Sequence, residues 1–196
     1  MASQSARRVL TVGDSISWGY LPHLTKLLEG TATVEHSTGN GGDSANIRKN
    51  LDDWAMRSPW DLVHLNCGLH DIKRARPSED FQVKINDYEA NLLDILKRLK
   101  AVPNLKLTWA TTTPVIDERH KSKRDFDRHN RDVLAYNAVA TRIMQDAKVP
   151  IVDLYAVVEK AGPERMLIND GVHYTDEGSQ ILSEPVAALI RKTLST

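Results

Sequence analysis

Arg7-Arg8-Val9-Leu10-Thr11-Val12-Gly13-Asp14-Ser15-Ile16-Ser17 is the stretch on which the reading of the whole chain turns. Residues 9–12 form a short apolar run of the kind that makes a buried strand. The run stops at Gly13-Asp14-Ser15, a tight turn, and over residues 18–28 the apolar positions recur at helical spacing. Ser15 therefore sits where a strand ends and a helix begins. In an open α/β sheet that is where polar groups face a crevice. Taken alone, the stretch favours a plainer reading, in which Asp14 and Ser15 only cap the helix. The far end of the chain, Asn169-Asp170-Gly171-Val172-His173, shifts the balance.

Outward from this stretch the chain alternates. Residues 32–36, 61–66, 105–110 and 149–153 read as four further strands. Helices over 45–55, 78–99, 133–144 and from Thr175 onward separate and close them. Asp43 or Ser44 is placed to cap the first of these helices, and Ser78 to open the second. Pro185, inside the last helix, predicts a kink or a break. Strands alternating with helices imply a parallel sheet covered on both faces. Right-handed crossovers then narrow the topology to a three-layer α/β/α sandwich with five parallel strands in the flavodoxin-like order 2-1-3-4-5. No repeat, low-complexity tract or linker interrupts residues 1–196, which are expected to form a single domain.

Composition removes several classes of function. Lys+Arg and Asp+Glu both number 26, so the formal net charge is zero. Bulk electrostatics thus favours neither a nucleic-acid partner nor a membrane surface. The one cysteine, Cys67, rules out an intrachain disulfide and lies in an apolar strand, as a small core residue would. Residues 1–8 carry charge with no hydrophobic region behind it, unlike a secretory signal. No apolar run approaches the roughly 20 residues that span a bilayer. The expectation is a soluble protein of a reducing, cytoplasmic compartment. The seven histidines include no His-x-x-x-His pair, so no metal site is expected. The most polar stretch, 117–131, reads as a solvated loop or helix face, with a mobile lid over the substrate as its functional alternative.

The topology makes a claim about geometry. In a parallel sheet the loops that follow the strands all emerge at one edge. Ser15 follows the first strand, Gly41-Gly42 the second, Gly68 to Asp71 the third and Thr113-Pro114 the fourth. Asp170 and His173 follow the fifth. Convergence of a serine, a histidine and an aspartate is what acyl transfer needs. The hydroxyl requires a base to take its proton, and the base requires an acid to orient it. Asp170 and His173 are three apart, which in a helical turn sets a carboxylate beside an imidazole.

Val12-Gly13-Asp14-Ser15, Gly42 in its loop, Gly68-Leu69-His70-Asp71 and Asp170-Gly171-Val172-His173 together resemble the four spaced blocks of the SGNH, or GDSL, hydrolases. The resemblance runs from residue 9 into the last helix. It implies an α/β/α fold and a serine esterase or lipase with no metal or organic cofactor. Carried over block by block, it implies Ser15 as nucleophile, His173 as general base and then acid, and Asp170 as the orienting carboxylate. Its oxyanion hole maps to the backbone N–H groups of Ser15 and Gly42. The third donor, usually an asparagine side chain in Gly-x-Asn-Asp, falls on His70. An imidazole N–H can donate as an amide does; Asn66, Asn40 and Asn46 are the nearby alternatives. The substrate implied is a small-molecule or carbohydrate ester with a short acyl group, an O-acetyl sugar among them. A lysophospholipase or thioesterase is the enzymatic alternative, and a non-catalytic binding module on the same fold is the alternative of another class. A flavodoxin-type phosphate binder ranks below these, because the loop after the first strand is short and runs into Trp18 and Tyr20.

Overall fold

The structure, a computed structural model, describes residues 7–196. Residues 1–6, on which part of the reading of the N-terminus rests, lie outside them. The described strands are β1 (Arg7–Val12), β2 (Ala32–His36), β3 (Leu62–Leu65), β4 (Arg74–Ala75), β5 (Lys106–Ala110), β6 (Phe126–Asp127) and β7 (Ile151–Val152). Five of them hydrogen-bond into an all-parallel sheet in the order β2-β1-β3-β5-β7. With the two short strands set aside, this is the expected 2-1-3-4-5 order. The central strands are apolar throughout: all four residues of β3 and the last four of β1 are buried. Only a sheet covered on both faces demands that pattern.

The helices that cover it follow from the stripes in the sequence. Among them, α1 (Ser15–Leu27) packs against α8 (Asp176–Ser195); α2 (Ser44–Leu51) packs against α3 (Ile85–Lys100), and α3 against α5 (Asn130–Asp146). Trp109, Tyr20, Tyr88 and Tyr136 are the largest side chains sealed in the core. Cys67 is buried among them, and burial pushes its thiol well up, as expected of a core residue. No helix among the described residues is long and apolar enough to cross a membrane.

Five details differ from the sequence reading. Helix α3 begins at Ile85, seven residues after Ser78, because the chain before it is committed elsewhere. Gln82 N–H donates to Lys73 O, Val83 N–H donates to Asp71 O, and Phe81 bridges to Arg74. Helix α2 stops at Leu51 and passes into a single π turn, Asp52–Met56. Helix α8 runs through Pro185 without breaking. One backbone bond is lost there, while buried Leu182, Val186 and Ile190 anchor both halves to the sheet. The polar stretch 117–131 is in part the helix face expected, but it is not wholly solvated. It forms α4 (Asp117–Lys123), then β6, then the start of α5, and it buries His120 and Arg128. Strands β4 and β6 pair as a small antiparallel ribbon outside the main sheet, an element the alternating pattern did not announce. The remaining short helices are α6 (Leu154–Ala161) and α7 (Pro163–Met166).

Candidate active site

The turn after β1 is held from both sides. Asp14, wholly buried, is the N-cap of α1 and accepts from Ile16 N–H at 2.9 Å. Ser15 is therefore not the cap but the first residue of the helix, and its N–H belongs to the first turn, which has no partner within the helix. Gly41 N–H donates to Gly13 O at 2.8 Å and draws the loop after β2 over the serine turn. A side chain at Gly41 would sit 2.6 Å from Gly13 O, so this approach of two backbones requires glycine.

The opposite partner comes from the turn before α8. Gly171 has φ +71°, and a Cβ there would lie 2.5 Å from Ile116 O. Its own carbonyl accepts from Ile116 N–H at 2.9 Å, which pins the turn to the start of α4. Residues 170–173 are not helical, contrary to the expectation of a helical turn. Asp170 makes the turn itself: Oδ1 accepts from Val172 N–H at 3.0 Å and from His173 N–H at 2.9 Å. Its other oxygen, Oδ2, lies 2.5 Å from His173 Nδ1, and His173 Nε2 lies 2.8 Å from Ser15 Oγ. One carboxylate thus builds the turn and orients the imidazole. Burial works against the ionised form of Asp170, but the hydrogen bonds from the His173 ring and from both backbone N–H groups outweigh it and hold the carboxyl below its ordinary range.

Ser15 and His173 open on a cavity of about 290 Å³ lined also by Asn40, His70, Lys73, Arg124, Phe126 and Arg128. His70 reaches it, as the sequence reading requires, and its ring has no hydrogen-bond partner among the described residues. Burial lowers its pKa and favours the neutral imidazole. The three asparagines separate by their bonds. Asn66 Nδ2 donates to Ala110 O, and Asn46 Nδ2 to Asn40 O and Gly41 O, so both amides brace backbone. Asn40 lines the cavity; its Oδ1 accepts from Gly42 N–H at 2.8 Å, which leaves Nδ2 for the open side. Gly42 N–H is consequently engaged, and Gly42 does not line the cavity.

Behind His70, Asp71 ties the loop after β3 to the start of α2. Its carboxylate accepts from Ser44 N–H at 2.9 Å and from Ser44 Oγ at 2.5 Å. Burial pushes this carboxyl up to about 7, against the pull of the Ser44 bonds. What the sequence reading missed is the far wall, Lys73, Arg124, Phe126 and Arg128, which the β4–β6 ribbon brings in. Its signals in the sequence are the basic turn Lys73-Arg74-Ala75-Arg76-Pro77 and the run of charge around 117–131. Among the described residues no three His, Cys, Asp or Glu side chains gather as a metal site.

A family model described as the GDSL-like lipase/acylhydrolase family matches residues 11–181. The chain belongs to that family, within the SGNH/GDSL superfamily that its four blocks resemble. Over 132 residues it is 23% identical to the isoamyl acetate-hydrolyzing esterase 1 homolog of Homo sapiens, covering 64% of this chain and 52% of that one. The chain thus spans about half the length of the curated relative it matches. Among solved structures, the lipase/acylhydrolase of Enterococcus faecalis superposes with a TM-score of 0.80 at 18% identity, over 95% of this chain and 96% of the other. A catalytic mutant of an acetylxylan esterase from Geobacillus stearothermophilus does so at 0.73 and 18%, over 97% and 96%. Likeness at this identity establishes the fold.

Proposed function

We propose that this chain is a serine ester hydrolase for short acyl groups, with Ser15, His173 and Asp170 as its triad. The observation that carries the reading is the unbroken hydrogen-bond path from Ser15 Oγ through both nitrogens of His173 to Asp170. In the first half-reaction Ser15 Oγ attacks the ester carbonyl carbon while its proton passes to His173 Nε2. The tetrahedral intermediate then collapses, the bond to the alcohol oxygen breaks, and the alcohol leaves with that proton. In the second half water attacks the acyl-serine, His173 again takes and returns a proton, and the free acid departs. Asp170 stays ionised throughout and stabilises the imidazolium that forms twice per turnover.

The oxyanion is held by the Ser15 N–H and by a side-chain donor, His70 or Asn40. The Gly42 N–H joins only where Asn40 releases it. A cavity of about 290 Å³ suits a small acyl group better than a long lipid tail. The acetylxylan esterase among the similar structures supports O-acetyl groups on carbohydrate as a candidate substrate class, by analogy of fold. The test is a panel of 4-nitrophenyl esters of increasing chain length. Hydrolysis should be greatest for acetate and butyrate and fall steeply by octanoate. Flat or rising rates toward long chains would favour the lysophospholipase alternative, and no turnover of any ester would leave the binding module.

A further inference from the structure

The cavity beside Ser15 is charged in one sense. Lys73, Arg124 and Arg128 line it, and no carboxylate does. Arg128 is the unusual member. It is only 6% exposed, yet its guanidinium pairs with no carboxylate among the described residues. Its one protein hydrogen bond is from Nε to the backbone of Leu69, at 2.7 Å. The neighbouring arginines of the same ribbon behave otherwise. Arg74 meets Asp132 at 2.8 Å and Arg76 meets Asp127 at 2.5 Å. A buried cation left without a counter-charge costs several kcal/mol unless something repays it. Asp14 and Asp170 act on Arg128 only through space, and Asp170 is already committed to His173.

The remaining groups reinforce the asymmetry. Lys73 Nζ stands 4.2 Å from the Phe126 ring centre, with no ion pair of its own among the described residues, and the Arg128 guanidinium lies 5.0 Å from the same ring. Arg124 approaches only Asp170, at 3.6 Å. Burial is the main influence disfavouring the charge on Arg128, and repulsion from Arg124 adds to it, while the charges of Asp14 and Asp170 act the other way. With Nε turned to the protein, the terminal nitrogens of Arg128 are the ones left to face the cavity. Guanidinium nitrogens so presented match the two oxygens of a carboxylate or the edge of a phosphate.

Resting on the reading of the chain as an ester hydrolase, we infer that the ester it takes carries an anionic group, which Arg128 receives with Lys73 and Arg124 beside it. A plainer role, in which these cations only stabilise the oxyanion, makes a different prediction. Oxyanion stabilisation helps every ester alike, whereas an anion pocket helps only the esters that bear a charge.

The experiment compares two ester pairs at low ionic strength. One is 4-acetoxybenzoate with its methyl ester, in which the charge is on the alcohol side. The other is mono-4-nitrophenyl succinate with its methyl ester, in which it is on the acyl side. At least one anionic ester should exceed its neutral partner in kcat/KM by about 30-fold or more, as a desolvated charge pair would produce, and salt should erode that advantage. Arg128→Gln should cut the ratio by a similar factor, and Lys73→Gln by a smaller one. Should Arg128→Gln fail to fold, the wild-type ratios and Lys73→Gln decide the matter without it. Ratios near one in both wild-type pairs would overturn the inference and leave the hydrolase standing. An Arg128→Gln loss equal on charged and neutral esters would likewise overturn it, in favour of an oxyanion role. If the wild-type protein hydrolyses none of the four, the hydrolase reading itself fails. Calorimetry of 4-acetoxybenzoate against its methyl ester on Ser15→Ala protein then judges the anion site, with equal binding counting against it.

Discussion

The cavity has two walls built on different principles. One wall, Ser15 with His173 and Asp170, stands on turns at the edge of the parallel sheet. Each of its side chains has a partner, and the contacts that link the three lie at 2.5 and 2.8 Å. The other wall, Lys73, Arg124, Phe126 and Arg128, stands on and around a ribbon of two-residue strands, and of its charged ends only Arg124 approaches a carboxylate, that of Asp170, which already serves His173. On the proposed function, the difference separates chemistry from selection. A relay of hydrogen bonds must be complete before substrate arrives, because its geometry is the catalyst. A set of cations waiting for an anion is completed by the substrate. Changes in the first wall should therefore reduce kcat for every ester, and changes in the second should alter which ester is preferred.

The largest effect tests the first wall. Ser15→Ala should lower kcat by about 10⁴-fold or more on all esters, as loss of a triad nucleophile does elsewhere. Its thermal stability should stay near wild type, because the cap of α1 is Asp14 and not Ser15. A folded Ser15→Ala protein with most of its activity would remove the serine from the mechanism and the contrast with it.

The next effect lies where the walls meet. His70 and Asn40 both line the cavity, and either could donate to the oxyanion. Loss of the true donor should cost about 10²–10³ in kcat with KM little changed. His70→Ala, Asn40→Ala and His70→Asn, assayed on one neutral ester, separate the two. If His70 is the donor, His70→Asn recovers part of the rate. If Asn40→Ala alone collapses, His70 belongs to the selecting wall. Asn40→Ala also frees the Gly42 N–H, which Asn40 Oδ1 holds.

How far these walls could be read from the sequence follows the same division. Ser15, Asp170 and His173 are flanked by residues with a local reason to be there, such as Asp14 as a cap and Gly171 at positive φ. Ser15 sits at the end of a strand whose apolar run is plain, while Asp170 and His173 lie beyond α6 and α7 in the turn before α8, where their own spacing and not the sheet marks them. The ribbon has no such run. Strands of two residues show no period, and the irregular segment 78–84 was hidden inside a stripe that reads as helix until Gln82 and Val83 are seen to bond back to Lys73 and Asp71. Arg128 was invisible for another reason. Nothing local tells a buried arginine from a solvated one, and in a polar run the solvated reading is the natural one.

Gly171→Ala is a smaller test, aimed at the footing of the first wall. A Cβ there would press on Ile116 O and would adopt φ +71°. Strain of this kind costs of order 1–3 kcal/mol. Moving the Asp170 turn should reduce kcat on charged and neutral esters by the same factor, with the ratio between them untouched. A change in that ratio would mean that the turn before α8 shapes the selecting wall too, through Arg124.

The smallest expected effect is on stability, and it concerns the strut between the walls. Asp71 fastens the loop that carries His70 and Lys73 to the start of α2 through Ser44. Burial raises its carboxyl in the folded protein from the usual 3.8 to about 7. Between those values the folded state holds a proton that the unfolded state has lost, so this group makes stability fall as pH rises from about 4 to about 7. Buried His64 has the opposite sign. Its folded pKa is pushed from 6.5 down to about 3 by burial, so the unfolded state takes up the extra proton and stability rises with pH across that interval. His120, lowered to about 4 chiefly by burial and then by the charges of Arg128 and Arg124, acts in the same direction. The wild-type curve should thus rise with pH between 4 and 6.5, because two rising contributions outweigh the one falling contribution. Asp71→Asn keeps an oxygen to accept from Ser44 but removes the falling contribution. Its unfolding free energy, followed by urea titration at half-unit steps, should climb relative to wild type between pH 4 and 7, by about 1–3 kcal/mol over the interval. A difference that does not change with pH would mean that Asp71 is ionised in the fold at every pH tested. The strut would then be a charged one, adding a fixed negative charge behind Lys73 and weakening the contrast between a wall that is complete and a wall that waits for its anion.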